Sequence, residues 1–508
     1  MHATHRIRVQ THLPTTTPPL HPAERLLSFL LAAWLVFTPL AFGTMHVPSQ
    51  LISAGLAGAA FLVSLFPRVI EQTDDCATQR AAPWRLLVRL PAFWLFTALA
   101  AYLLLQALNP AWNYRASSTS WWMEKKPHLG WLPSGIDAPF QGMNSWRRLL
   151  TWLPAFFIGC AVWLGVSRRS VLKRLLLLVV GLALLISTLG IAQKTSETNS
   201  IYWRYTFRDA EVFGSFVYRN HGTAYLLLAF VVSCALAIKI YLSGEKNGKR
   251  STPAPVMVFF SVIIAVAIFL SLSRLSTILV SLCALLICLG STGWLARRGL
   301  ARMWIPVLLI VSMSICVTLC LTKIDLTRIQ SRFLNLTNGS DYDSIGVRLY
   351  ASEATRKLAF DNLIFGAGSG GFRYLSPRYL SEFPIVQQET HFDGIRSSTQ
   401  RFVMNESHND ILQFFAELGI VGGAILLGIA ACGFAATSLP RRIAHPLGYS
   451  ALVAQCVLLV YSTMDFPLQN PAVLGLAVFF VTSSARWVDL EVSVRPAFQL
   501  PTFSTRSE

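Results

Sequence analysis

The residues best suited to chemistry sit at the edge of an apolar run, in Ser407-His408-Asn409-Asp410. Ser407 with Asp410 three positions on has the character of a capping box, which predicts His408 in a first helical turn. There the helix dipole and nearby bases favour a neutral imidazole able to accept a proton. Gln413 and Glu417 carry a polar stripe at helical spacing into the apolar run behind it. Carboxylates inside a span are rare and normally face protein or a wet cavity. The alternative for His408 is an interfacial residue that only caps.

Arginines form a second set: Arg274 between two apolar runs, Arg219 beside Asn220 and His221, and Arg348 in a predicted helix. A guanidinium suits a diphosphate because its planar fork donates hydrogen bonds in pairs and stays charged. Any one of them could equally be snorkelling at a membrane surface.

The elements that must position these side chains are membrane spans. Hydrophobic residues make up 53% of the 508 positions and charged residues 13%, with a mean hydropathy of +0.50. A soluble core of this length cannot hide that much apolar surface, so lipid must be the solvent for most of it. Runs near the required ~20 residues occur at 26–42, 49–66, 86–108, 149–166, 171–192, 220–242, 255–272, 275–291, 303–321, 408–436, 447–464 and 468–485. The expected fold is an all-α polytopic membrane protein of about 12 transmembrane helices. The block 255–291 is too long for one span, so a hairpin turning near Arg274 is predicted.

Basic residues cluster in the short connections, at Arg168, Arg169, Lys173 and Arg174, at Lys246, Lys249 and Arg250, and at Arg441 and Arg442. By the positive-inside rule these connections and both termini are cytoplasmic, and the loops 109–148, 193–219 and 322–407 face outward. The net charge of +18 thus marks cytoplasmic loops and contact with membrane lipids, and nucleic acid is not an expected partner. The expected organisation is a disordered tail over 1–25, spans one to nine over 26–321, a large, partly helical periplasmic loop over 322–407, spans ten to twelve over 408–485, and a cytoplasmic tail over 486–508. Within the loop, residues 345–360 show helical spacing, and the turn from Gly366 to Gly371 should stop that helix. That glycine run has the letters of a dinucleotide fingerprint but follows a helix rather than a strand, so it reads as a turn. Aromatic residues in 112–146, Trp112, Tyr114, Trp121, Trp122, Trp131 and Trp146, read as interfacial anchors before sugar-stacking surfaces. The cysteines lie mostly inside apolar runs and suggest neither a disulfide framework nor a thiolate metal site.

In order along the chain, these pieces resemble the O-antigen ligase and O-antigen polymerase family of bacterial envelope enzymes. HNDILQFFAELGIVG, from His408 to Gly422, is similar to the family's His-Asn motif with its Glu-x-Gly. Gly346-Val347-Arg348 and Asn362 to Phe372 are similar to its Arg-bearing helix and glycine-rich turn. Leu272-Ser273-Arg274 matches its Ser-Arg hairpin, and FVYRNHGTAY, from Phe216 to Tyr225, resembles its Asn-bearing motif. Asp465-Phe466-Pro467 with Asn470-Pro471 resembles the last outer turn of one subgroup. Asn362 is followed by Leu363 where many members carry Pro.

The resemblance implies a membrane glycosyltransferase of the bacterial inner membrane, acting at its periplasmic face. The glycan donor would be linked to undecaprenyl diphosphate, and the acceptor would be a lipid A–core sugar, a growing polymer or a protein hydroxyl. It implies inverting transfer that needs no metal or cofactor, with His408 as catalytic base and Arg274, Arg348 and Arg219 on the diphosphate. Asn409, Glu417, Asn220 and His221 would support them. A ligase is the first expectation, with a polymerase or a protein O-oligosaccharyltransferase as alternatives. The rival from another class is a non-enzymatic transporter of lipid-linked glycans. Transporters favour repeated halves and ionisable groups near the midplane, whereas here no repeat is evident.

Overall fold

A computed structural model describes residues 20–70, 79–118, 120–207, 211–246, 248, 251–297, 344–380, 389–390, 398–399 and 404–493. The expected span at 303–321, the first part of the long loop and most of 381–403 lie outside the described residues, as do both ends of the chain.

The described apolar runs are helices α1 (Pro22–Leu40), α2 (Val47–Ser64), a short α3 (Pro83–Leu87), α4 (Pro91–Leu108), α5 (Ser145–Gly165), α6 (Arg169–Thr195), α7 (Arg219–Lys246), α8 (Ala254–Leu270) and α9 (Arg274–Arg297). Within the long loop lie α10 (Ser344–Asp361) and α11 (Gly371–Leu380), and after it come α12 (Asp410–Ser438), a short α13 (Pro440–Ile443), α14 (Pro446–Ser462) and α15 (Pro471–Ser493). Among the described residues, nine of these helices are long and apolar enough to cross a membrane, and α8 and α14 are shorter apolar helices. The chain is therefore a mostly helical, polytopic membrane protein. Proline marks many of the starts: Pro22, Pro48, Pro91, Pro255 and Pro446 stand at the first or second helical position, where no amide hydrogen is needed.

α7 is apolar on every side and nearly all of Ala224–Leu242 is buried, so it is the central post of the bundle. α1, α6, α8, α9, α14 and α15 pack their apolar faces into the same core. α8 and α9 form the hairpin expected near Arg274, turning through Leu272 with a positive φ of 59°. The first helix begins at Pro22 rather than beyond residue 25, and Glu24 is buried, accepting from the amide and hydroxyl of Ser167 at the start of α6.

A second core lies outside the bundle. Ala351, Ala354 and Leu358 on one face of α10 pack with Phe372 and Leu375 of α11. The connection between α4 and α5 joins them as a three-stranded sheet of β3 (Pro110–Ala116) between β4 (Trp121–Lys125) and β5 (Gly135–Asp137). Two short strands, β1 (Arg68–Ile70) and β2 (Gln79–Ala81), precede it. The sheet corrects one expectation: Trp112, Tyr114 and Trp121 are packed against this core rather than serving as bilayer anchors. Tyr114 stacks on Trp121 at 5.8 Å, and both meet Tyr374 of α11 edge-on. Trp122, Trp131 and Trp146 are exposed.

The two cores meet where α12 is broken. Gly419 has φ 65° and ψ −168°, which interrupts the helical hydrogen bonds. The turn Asn362–Gly370 fills the gap: the amides of Ala367 and Gly368 donate to the carbonyls of Ala416 and Glu417, at 2.8 and 3.0 Å. In return the amides of Ile420 and Val421 donate to Leu363 and Ile364. Tyr102 and Gln106 of α4 donate to the remaining carbonyls of Phe365, Glu417 and Leu418. A break in a membrane helix is tolerated only where neighbours satisfy its backbone in this way. Gly366 and Gly419 face each other so closely that a Cβ on either would come within 2.5 Å of the other's segment. The glycine-rich run is therefore a turn, and its work is to dock the subdomain of α10 and α11 into α12.

Candidate active site

Four connections converge at one end of the bundle: the entry to α12, the turn between α14 and α15, the start of α7 and the first turns of α10. Their meeting point is Asp465, which is 1% exposed.

His408 lies before α12 and not within its first turn. The N-cap is Asn409, whose Oδ1 accepts from the amide of Leu412 at 3.0 Å. Ser407 ties down the approach, its hydroxyl donating to Asn409 O at 2.9 Å. His408 itself takes φ 57°, a left-handed conformation uncommon for a histidine and frequent at functional turns. The result aims the ring away from the helix axis. Its Nδ1 is 3.4 Å from Asp465 Oδ1, and its plane meets Phe466 edge-on at 5.0 Å. With Nδ1–H donating to the carboxylate, Nε2 is the nitrogen left to accept a proton. A carboxylate on another connection therefore orients the ring.

Other donors converge on the same carboxylate. Asn220 Nδ2 donates to Asp465 Oδ2, the guanidinium of Arg348 stands 3.9 Å from that oxygen, and the amide of Phe466 donates to Oδ1 at 3.0 Å. Burial alone would raise the Asp465 pKa, but the bond to His408 and the charge of Arg348 outweigh it. The carboxyl is held below its usual range. Arg348 also donates to Met464 O at 3.3 Å. His221 lies within hydrogen-bond reach of Phe466 O, at 3.1 Å, and Tyr218 stacks flat on the Phe466 ring at 5.1 Å.

The predicted residues thus divide. His408, Arg348, Asn220 and His221 come together around Asp465-Phe466, and Asn409 caps the helix behind them. Arg219, first residue of α7, is ion-paired with Glu211. Arg274 stands exposed at the hairpin turn. Its neighbours reach the site through a hydroxyl chain: Ser273 to Ser276 at 2.9 Å, Ser276 to Tyr461 at 2.7 Å, and Tyr461 to the carbonyl of Asn220 at 2.9 Å.

Glu417 belongs to a second cluster deeper in the bundle. It is bridged at 3.0 Å by Arg148 of α5, with both side chains 1% exposed, and Gln413 donates to its other oxygen at 3.0 Å. Arg148 also donates to Gln469, in the turn that carries Asp465. Gln413 reaches Glu406 at 2.6 Å, and Arg373 of α11 stands 3.6 Å from the same carboxylate. Burial pushes the Glu406 carboxyl above its ordinary range, against the pull of Arg373 and Arg148.

Sequence reasoning gave no role to Arg148 and quoted Asp465 only as part of a resemblance. Arg148 follows Arg147 just ahead of the predicted span 149–166, where arginines read as snorkelling, and the Asp465 turn lies 57 residues beyond His408. The available signal for Asp465 was an acid between two apolar runs, where a charge calls for a partner.

Residues 259–427 match the family model Wzy_C, described as O-antigen ligase. Over that stretch the chain is similar to the O-antigen ligase family. The matched stretch takes in the Arg274 hairpin, Arg348, the glycine-rich turn, His408 and Glu417. The match ends before Asp465 and begins after Asn220, so the carboxylate that orients His408 comes from outside the matched stretch. No curated protein matches the chain.

Proposed function

We propose that the chain is an O-antigen ligase-like glycosyltransferase that moves a glycan from undecaprenyl diphosphate to an acceptor hydroxyl, favouring a lipid A–core sugar. The observation that carries this reading is the convergence of His408 and Arg348 on Asp465 at one rim of a membrane bundle. That rim is the periplasmic face of the inner membrane by the charge of the short connections, with both termini cytoplasmic.

The chemistry follows from the parts. A lipid-anchored donor demands a site at the membrane surface, and the rim supplies one. The acceptor oxygen attacks the anomeric carbon as its proton passes to His408 Nε2. The bond to the diphosphate breaks, and its electron pair leaves on a phosphate oxygen that fixed positive charge stabilises. Arg348 is the best placed to provide that charge, with Arg274 at the open hairpin and Arg219 beside the site. One displacement inverts the anomeric centre. Asn409 and Asn220 hold the loop and the carboxylate that aim the base. His221 anchors the Phe466 backbone, and Glu417 secures the helix below. Within the loop proposed over 322–407, α10 brings Arg348 to the rim.

Deleting the gene and analysing the envelope glycans tests this reading. Unattached lipid-linked polymer is expected of a ligase. Single repeat units would indicate a polymerase instead, and normal glycans with unmodified glycoprotein would indicate a protein transferase.

A further inference from the structure

The connection between α6 and α7 contains a short hairpin with a three-residue loop, β6 (Ser200–Ile201) and β7 (Tyr205–Thr206). The amide of Arg204 donates to Ile201 O at 3.2 Å, and the central residues Tyr202 and Trp203 have φ 54° and 55°. Positive φ at both centres is the type I′ pattern, which strongly favours Asn-Gly. Two bulky aromatic residues are strained there, and such strain persists where surrounding contacts enforce it. A facing turn does the same: Phe42 and Thr44 have φ 56° and 62° around Gly43.

The two turns build one aromatic surface. Phe42 meets Tyr205 edge-on at 5.2 Å and Tyr202 at 6.1 Å. Tyr202 is 36%, Trp203 49% and Tyr205 45% exposed. Two of them bond their polar atoms to the protein: the Tyr202 hydroxyl donates to Leu40 O at 2.6 Å, and the Trp203 indole donates to Ser196 Oγ at 3.1 Å. An aromatic that anchors a bilayer does the opposite, burying its ring and leaving its polar tip at the headgroups. Exposed ring surface with satisfied polar atoms suits the apolar face of a sugar. The surface also adjoins the site. Gly43 packs against Phe216 and Asn470, and the connection holding the hairpin runs directly into Arg219 and Asn220. A glycan extending from a diphosphate held near Arg219 would lie along it.

We propose that Tyr202 and Trp203, backed by Phe42, form the stacking surface for the saccharide of the lipid-linked donor. The proposal rests on the donor assigned above. The test uses purified full-length protein in nanodiscs and two probes: the host's undecaprenyl diphosphate-linked glycan, and undecaprenyl diphosphate without sugar. The double variant Tyr202→Asn, Trp203→Gly installs the residues that the turn prefers, so the hairpin is kept while the rings are lost. Trp203→Ala, which leaves the Tyr202 hydroxyl bond in place, is the second variant. Both should bind the glycan-bearing lipid about tenfold more weakly and the bare lipid as before. Unchanged binding of both probes, or equal weakening of both, would overturn the proposal. A wild-type protein that shows this ring-dependent binding yet transfers nothing would support the surface and defeat the transferase reading.

Discussion

His408 turns Nδ1 to within 3.4 Å of Asp465 Oδ1, so a histidine ahead of one membrane helix is aimed by a carboxylate at the end of another. The pair joins α12 to the α14–α15 turn and fixes which ring nitrogen faces outward. Asp465→Asn keeps the shape but puts an amide where the carboxylate accepted, and so disfavours the productive tautomer. Transfer by that variant should fall by on the order of 10²-fold or more while the protein stays folded, measured as turnover of lipid-linked glycan. Unchanged turnover would mean the pair is structural only.

The lowered Asp465 pKa makes a pH prediction. A carboxyl whose folded pKa lies below its unfolded value stabilises fully above the unfolded value, about 3.9 for Asp, and loses that stabilisation as pH falls through the folded one. The difference in melting temperature between wild type and Asp465→Asn should be constant above about pH 5. It should shrink as the medium is made more acidic. A difference that grew on acidification would reverse the sign of the interaction.

Arg148 and Glu417 are both 1% exposed, and each leaves a buried charge if the other is removed. Arg148→Met or Glu417→Leu alone should cost about 3–5 kcal/mol. The double replacement should recover much of that loss in thermal unfolding of the detergent-solubilised protein. Two equal and additive losses would argue against direct pairing.

Gly366→Ala places a Cβ 2.3 Å from Glu417 O at a φ of 73°. The turn would have to leave the break in α12, and the subdomain of α10 and α11 would lose its docking. Limited proteolysis should then cut between α10 and α12 faster than in wild type, with a strain cost of about 1–3 kcal/mol. Wild-type resistance to the protease would contradict the docking role.

Much of the architecture was legible because period and run length report directly on what lipid requires. The eleven apolar runs that fall in described residues are all helices, and the 255–291 block turns where Arg274 interrupts it. The face of α10 was also legible, since Ala351, Ala354 and Leu358 repeat at helical spacing. Other features are tertiary and leave little local trace. The sheet at 110–137 pairs short, irregular segments whose aromatics read equally well as anchors. The position of His408 outside α12 depends on a choice between Ser407 and Asn409 as cap, and both are good cap residues. The His408–Asp465 and Arg148–Glu417 pairs join residues 57 and 269 positions apart, a relation that no local pattern encodes.

The most direct measurement is transfer by His408→Ala, reconstituted in lipid with the undecaprenyl diphosphate-linked glycan and a lipid A–core acceptor. A positioned base contributes roughly 10²–10⁴-fold, so turnover should drop by that factor while the variant remains membrane-inserted and still binds the donor. Full transfer by His408→Ala would contradict a general-base role for this residue.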